Sequence, residues 1–235
     1  MEEHYIVQVQ SQVQGLVDDL KAVFTHAGLG GEAGEYKLLT QSFLYKFLND
    51  KFLYEALNID ESYDYQGLLN LSEEDYDWFL DDIGTKTAHL KPEQLIESLH
   101  RQQNQADFAE IFEQTLNQIA IDNNAIFSVH TDGGTDIRLF DQRLITDTIS
   151  DTSKRNEVAA SIINLLARVK FDQQIFSQGF DFFSTLFEYM IKDYNKDGGG
   201  KYAEYYTPHS VAKIIAAILV GNDQPISVKI YDPSA

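Results

Sequence analysis

Large apolar side chains recur three and four positions apart along most of this chain, a period that leaves room for a helical fold and little else. Val9, Val13, Leu16, Val17, Leu20 and Phe24 fall on one face, so a first helix is expected over roughly 4–25. Gly28, Gly30, Gly31 and Gly34 then break the pattern as a linker. A second helix is expected over about 35–57. Its Leu39, Phe43, Leu44, Phe47 and Leu48 are dense enough to demand burial on more than one side. Residues 58–71 read as loop. Ser72-Glu73-Glu74-Asp75 reads as a helix start, with Ser72 as cap, Asp75 three residues on, and Trp78 and Phe79 as core. Pro92 opens a short helix carrying Leu95, Ile96 and Leu99. Phe108, Ile111, Phe112, Thr115 and Ile119 mark another near 105–121.

The period changes once in this region. Short β-prone runs at 127–131 and 137–140 flank Asp132-Gly133-Gly134-Thr135-Asp136, which predicts a small hairpin. Helical spacing returns over 153–170 with Val158, Ile162, Leu165, Leu166 and Val169. It appears again in Phe183, Leu186, Phe187, Met190, Ile191 and Tyr194. Thr207 is a good N-cap and Pro208 suits the first helical position. Val211, Ile214, Ile215 and Ile218 follow as one apolar face, expected to be buried. Gly221-Asn222-Asp223 stops that helix, and Ile226, Val228 and Ile230 alternate as a strand. The expected class is therefore mainly α, with a helical N-terminal domain over 1–172. A strand running into Asp232-Pro233-Ser234-Ala235 calls for a turn, a helix and pairing partners. The chain is expected to be the front part of a longer protein.

Charge and composition exclude several functions. The formal charge is −19, from 18 Lys+Arg against 37 Asp+Glu. A stand-alone nucleic-acid binder needs clustered Lys and Arg to meet phosphates, so that role is disfavoured. Nine carboxylates and no Lys or Arg lie between Asp60 and Asp82. Such a run serves as a solvated face, as a docking face for a basic partner subunit, or as a mimic of DNA charge. There is no cysteine, which excludes disulfides and fits a cytoplasmic, reducing location. No apolar run spans a bilayer, and Met1-Glu2-Glu3-His4 lacks the basic start of a signal peptide. The six histidines show no metal-ligand spacing, no nucleophile elbow is present, and no metal site is assigned from them.

Asp193-Tyr194-Asn195-Lys196-Asp197-Gly198, with Glu204 six residues later, satisfies the calcium-loop template. Against calcium stand Gly200, where an apolar residue normally pairs with a sister loop, and the run Gly198-Gly199-Gly200, which makes the loop costly to order. A flexible connector is the alternative.

Tyr205-Tyr206-Thr207-Pro208 before a helix, then a strand ending in Asp232-Pro233-Ser234-Ala235, resembles the start of the adenine-N6 DNA methyltransferases. The likeness is greatest to the modification subunit of type I restriction-modification systems. Gly179-Phe180-Asp181-Phe182-Phe183 and Leu186-Phe187-Glu188-Tyr189 are similar to that family's lead-in helix. The run from Leu39 to Leu48 is similar to its helical N-terminal domain. The resemblance implies that 173–235 hold the lead-in helices and first strand of an α/β, Rossmann-like methyltransferase domain. It implies S-adenosyl-L-methionine as cofactor and assigns Tyr205, Tyr206, Thr207 and Pro208 to its pocket. Glu204 and His209 would lie at the pocket edge, and Asp232, Pro233, Ser234 and Ala235 in the turn around the cofactor. Aromatic rings can lie against the sulfonium, and free helix N–H groups can meet the carboxylate. Implied partners are a specificity subunit, a restriction subunit, a second modification subunit, and DNA through the full complex. The family's catalytic Asn-Pro-Pro-aromatic motif is absent from these residues, which contain no Asn-Pro pair. No catalytic residue is assigned, and the chain alone is expected to be inactive. The reading from another class is an acidic helical interaction module without enzymatic activity.

Overall fold

The stripe Val9, Val13, Leu16, Val17, Leu20 and Phe24 becomes the buried face of α1 (Glu2–His26) in the computed structural model. The structure describes residues 2–30, 33–127, 129–130, 136–137, 139–171, 175–176 and 209–220. The chain divides into two compact units, 1–180 and 181–235. Among the described residues the protein is mainly α. None of their helices is long and apolar enough to cross a membrane.

α1 ends where Gly28 adopts φ +95°. The Gly28 N–H then bonds to the Thr25 carbonyl and the Leu29 N–H to the Phe24 carbonyl, satisfying two carbonyls of the last turn. Only glycine takes this backbone conformation without a Cβ penalty. α2 (Ala33–Ile59) is buried on several sides, as its apolar density demands. Leu38, Leu39, Phe43, Tyr45, Phe52 and Ala56 are fully enclosed. The expected loop over 58–71 instead contains a short helix, α3 (Tyr65–Leu69), capped by Asp64, whose carboxylate accepts the Gly67 N–H at 2.8 Å. A Cβ at Gly67 would stand 1.8 Å from the Ser62 carbonyl oxygen, so this approach needs glycine.

α4 (Glu73–Ile83) starts as expected. Ser72 Oγ accepts the Asp75 N–H at 3.2 Å and donates to the Asp75 carboxylate at 2.6 Å. Phe79 is core, meeting Phe52, Tyr63 and Tyr76 edge-on. Trp78 is a correction, because it is 70 % exposed. One residue along a helix is a rotation of ~100°, and Phe79, Tyr76 and Ile83 already set the inward face. Pro92 opens a 3₁₀ turn (Pro92–Gln94), and Leu95 is extended (φ −72°, ψ 146°), so α5 (Ile96–Gln102) is a separate helix.

α6 (Phe108–Asp122) is followed by α7 (Asn124–Phe127). The hairpin expected over 127–140 is not supported at that length. The Phe127 N–H is engaged helically with the Asn123 carbonyl, so Phe127 cannot begin a ladder. Pairing among the described residues is limited to two residues on each side, β1 (Val129–His130) antiparallel to β2 (Asp136–Ile137). α8 (Leu144–Thr148), which periodicity missed, leads through a second 3₁₀ turn into α9 (Arg155–Arg168). α9 packs against α1, α2, α5, α6 and α8, so the first unit closes around it. The helix expected at 183–194, the calcium-loop candidate at 193–204 and the strand at 226–230 lie outside the described residues. No Rossmann-like start is supported by them.

Candidate functional site

The helix that follows Tyr205-Tyr206-Thr207-Pro208 in the chain is α10 (His209–Val220). Its first turn carries no acidic residue. The partial positive charge of the N-terminal N–H groups is therefore not offset from within the helix, a setting that favours a carboxylate. This is a fit for the amino-acid end of the expected cofactor. Burial of the apolar face is corrected: Val211, Ile214, Ile215 and Ile218 are exposed, Ile218 at 75 %. The spacing is helical as predicted, but periodicity reports an apolar face and not what covers it. His209 opens the helix. Glu204, Tyr205, Tyr206, Thr207, Pro208, Asp232, Pro233, Ser234 and Ala235 lie outside the described residues.

A second constellation, in the first unit, was not foreseen. Asp50, on α2, accepts four hydrogen bonds or ion-pair contacts. Lys46 Nζ lies 3.0 and 2.9 Å from its two carboxylate oxygens. Asn49 Nδ2 donates at 2.8 Å, and the Phe171 backbone N–H at 3.0 Å. Asn49 in turn accepts the Ile96 N–H at 2.9 Å. All three side chains are buried. Burial pulls the Lys46 ammonium below the ordinary lysine range. Asp50 pulls it the other way, and Lys170 adds a push downward. The ammonium also lies 5.5 Å from the centre of the Phe171 ring.

A groove of about 600 Å³ opens over this junction, lined in part by Lys46, Asp50, Tyr65, His100, Lys170 and Phe171. Its polar walls are engaged with one another. Tyr65 Oη is 3.0 Å from Ser98 Oγ, and His100 Nε2 is 3.0 Å from Asn164 Oδ1. Lys46 and Asp50 are paired with each other inside this lining. The arrangement works as a joint that ties the chain leaving α9 back onto α2. The sequence signal was an opposite-charge pair at i, i+4 inside an apolar helix, where a surface pair would not sit.

Among the described residues, no group of three His, Asp or Glu side chains could hold a metal ion. Residues 178–235 fit the N-6 DNA methylase family model. That segment contains the tyrosine pair, α10 and Asp232-Pro233. No curated protein and no solved structure matches the chain.

Proposed function

We propose that this chain is the N-terminal part of an S-adenosylmethionine-dependent DNA adenine-N6 methyltransferase, the modification subunit of a type I restriction-modification system. The observation that carries the reading is the methylase match over 178–235, which falls on the residues singled out for the pocket. The acid-free first turn of α10, directly after the tyrosine pair, supports it. In this reading the cofactor, when bound, supplies an activated methyl group on sulfur. Tyr205 and Tyr206 would hold the cation by aromatic contact. The first-turn N–H groups of α10 would meet the carboxylate, and Asp232 to Ala235 would belong to the turn around the cofactor. The helical first unit contacts the specificity subunit and DNA through the assembled complex. The base-handling motif is not among these residues, so the 235-residue chain alone transfers no methyl group.

The test is calorimetric titration of S-adenosylmethionine into the protein carrying this chain. Saturable binding is expected, and Tyr205→Ala with Tyr206→Ala weakens it by about 3- to 30-fold, the range of a lost aromatic–cation contact. No binding at millimolar cofactor would overturn the reading. Labelled methyl appearing on a base position other than adenine N6, in the complex with a specificity subunit, would leave the methyltransferase and remove the adenine-N6 assignment.

A further inference from the structure

We infer that the outer face of α4 is a docking surface for a basic segment of another protein, which would cover Trp78 with an apolar group and surround it with Lys or Arg. This stands apart from the methyltransferase reading and rests on the first unit alone.

The face is held rather than loosely exposed. Phe79 is locked edge-on between Phe52, Tyr63 and Tyr76, with ring centres 5.7, 5.2 and 5.4 Å away. The buried Tyr76 hydroxyl donates to the Leu90 carbonyl, and burial pushes its pKa above the ordinary tyrosine value. Ser72 fixes the helix start. At the other end Gly84, at φ +58°, donates its N–H to the Leu80 carbonyl. The helix cannot rotate to bury Trp78 without expelling that aromatic cluster.

What this rigid helix presents is an indole, 70 % exposed. Tryptophan is the largest apolar side chain and is seldom left out of contact in a free surface. It is also the residue most enriched where interfaces concentrate their energy. Its helical neighbours at i−4, i−3, i+3 and i+4 are Glu74, Asp75, Asp81 and Asp82, with Asp77 adjacent, all exposed. An apolar anchor ringed by one sign of charge specifies the complementary surface.

The charge selects among occupants. Duplex DNA and anionic lipid would be repelled by the same ring. A second copy meeting face to face would bring identical carboxylates together. A basic segment gains from every carboxylate, and an arginine can also stack on the indole.

Trp78 is the only tryptophan of the chain, so its emission reads this face directly. The probe is a synthetic helix of arginine and leucine, fluorescein-labelled, with a control in which every arginine is glutamate. Titrating the full chain should shift Trp78 emission to the blue, saturably, with affinity falling as salt rises. Trp78→Ala and the triple Asp77→Asn, Asp81→Asn, Asp82→Asn should each cost about tenfold in affinity by anisotropy, as truncation of an interface anchor does. Asp107→Asn with Glu110→Gln, an exposed acidic pair at the start of α6, should change it less than about twofold. Trp78→Phe keeps a ring and should retain more binding than Trp78→Ala, which keeps the test open if the alanine variant unfolds. Unchanged Trp78 emission at saturation overturns the proposal. So does equal weakening by the α6 pair, a blue shift with duplex DNA, or concentration-dependent self-association that Trp78→Ala abolishes.

Discussion

α2 and α10 are both apolar helices, yet one is enclosed on nearly all sides and the other stands exposed. In α2, Phe43, Phe52 and Leu39 are fully buried, and even Lys46 and Asp50 are taken inside as a pair. In α10, Ile218 is 75 % and Leu219 80 % exposed. The difference does not lie in the helices' own periodicity. α2 has α1, α4, α8 and α9 packed against it within its own unit. An apolar face is a demand for a neighbour, and only the structure says whether that demand is met. The contrast makes α2 a source of the first unit's stability and leaves the apolar face of α10 without a described cover.

The sharpest way to break this contrast is at Asp50. Asp50→Ala removes the acceptor of the buried Lys46 ammonium, the Asn49 amide and the Phe171 N–H, and should cost about 3–5 kcal/mol. The joint change Lys46→Met with Asp50→Leu should recover the part of that loss due to the buried ammonium, because paired burial of charge gives little net gain over packing. Thermal or urea unfolding followed by circular dichroism measures both. Recovery that fails would mean the pair also orders the chain around Phe171.

Next comes a direct comparison of the two helices. Phe52→Ala should destabilise the first unit by about 3–5 kcal/mol through the cavity it leaves. Ile218→Ala should fall within about 0.5 kcal/mol, the range of exposed positions. A large loss at Ile218 would show that α10 is covered in solution.

The smallest expected effect is with alkali. Burial raises the pKa of Tyr45 and of Tyr76 above 10.0. The unfolded chain therefore releases these protons at lower pH than the folded one. Their contribution to stability is full below the unfolded tyrosine value and declines as pH rises beyond it. Unfolding midpoints should fall above about pH 10, and Tyr76→Phe should flatten part of that slope. An unchanged slope would place the hydroxyl in contact with water.

How much of this was legible in the sequence varied with the kind of signal. All six positions of the α1 stripe are buried as predicted, because a single helical face follows from spacing alone. Ser72 was legible because capping is local chemistry. Trp78 was not, because its size argued for burial while its place on the helix, fixed by Phe79, argued against it. The Lys46–Asp50 joint was illegible because its third member, the Phe171 N–H, lies 121 positions away from Asp50 in the chain. Asn123 behaved alike. Its side chain accepts the His89 N–H at 2.6 Å and donates to the His89 carbonyl at 2.8 Å, a pairing no local pattern announces. For the candidate pocket, helical spacing identified α10, while Thr207, Pro208 and the tyrosine pair rest on local sequence and family likeness and not on geometry.

The place of α9 at the centre of the first unit has a consequence for how the protein is made. α1 packs on α9, yet Arg155 follows His26 by 129 positions. At ribosomal speeds of ~5–20 residues per second, α1 waits on the order of ten seconds for α9, with α2 as its earlier partner. Closure of so long a loop must precede the gain from that contact. During that interval the part of the α1 stripe that faces α9 is apolar surface on a nascent chain, and the net negative charge of the chain as a whole opposes its association with neighbouring copies.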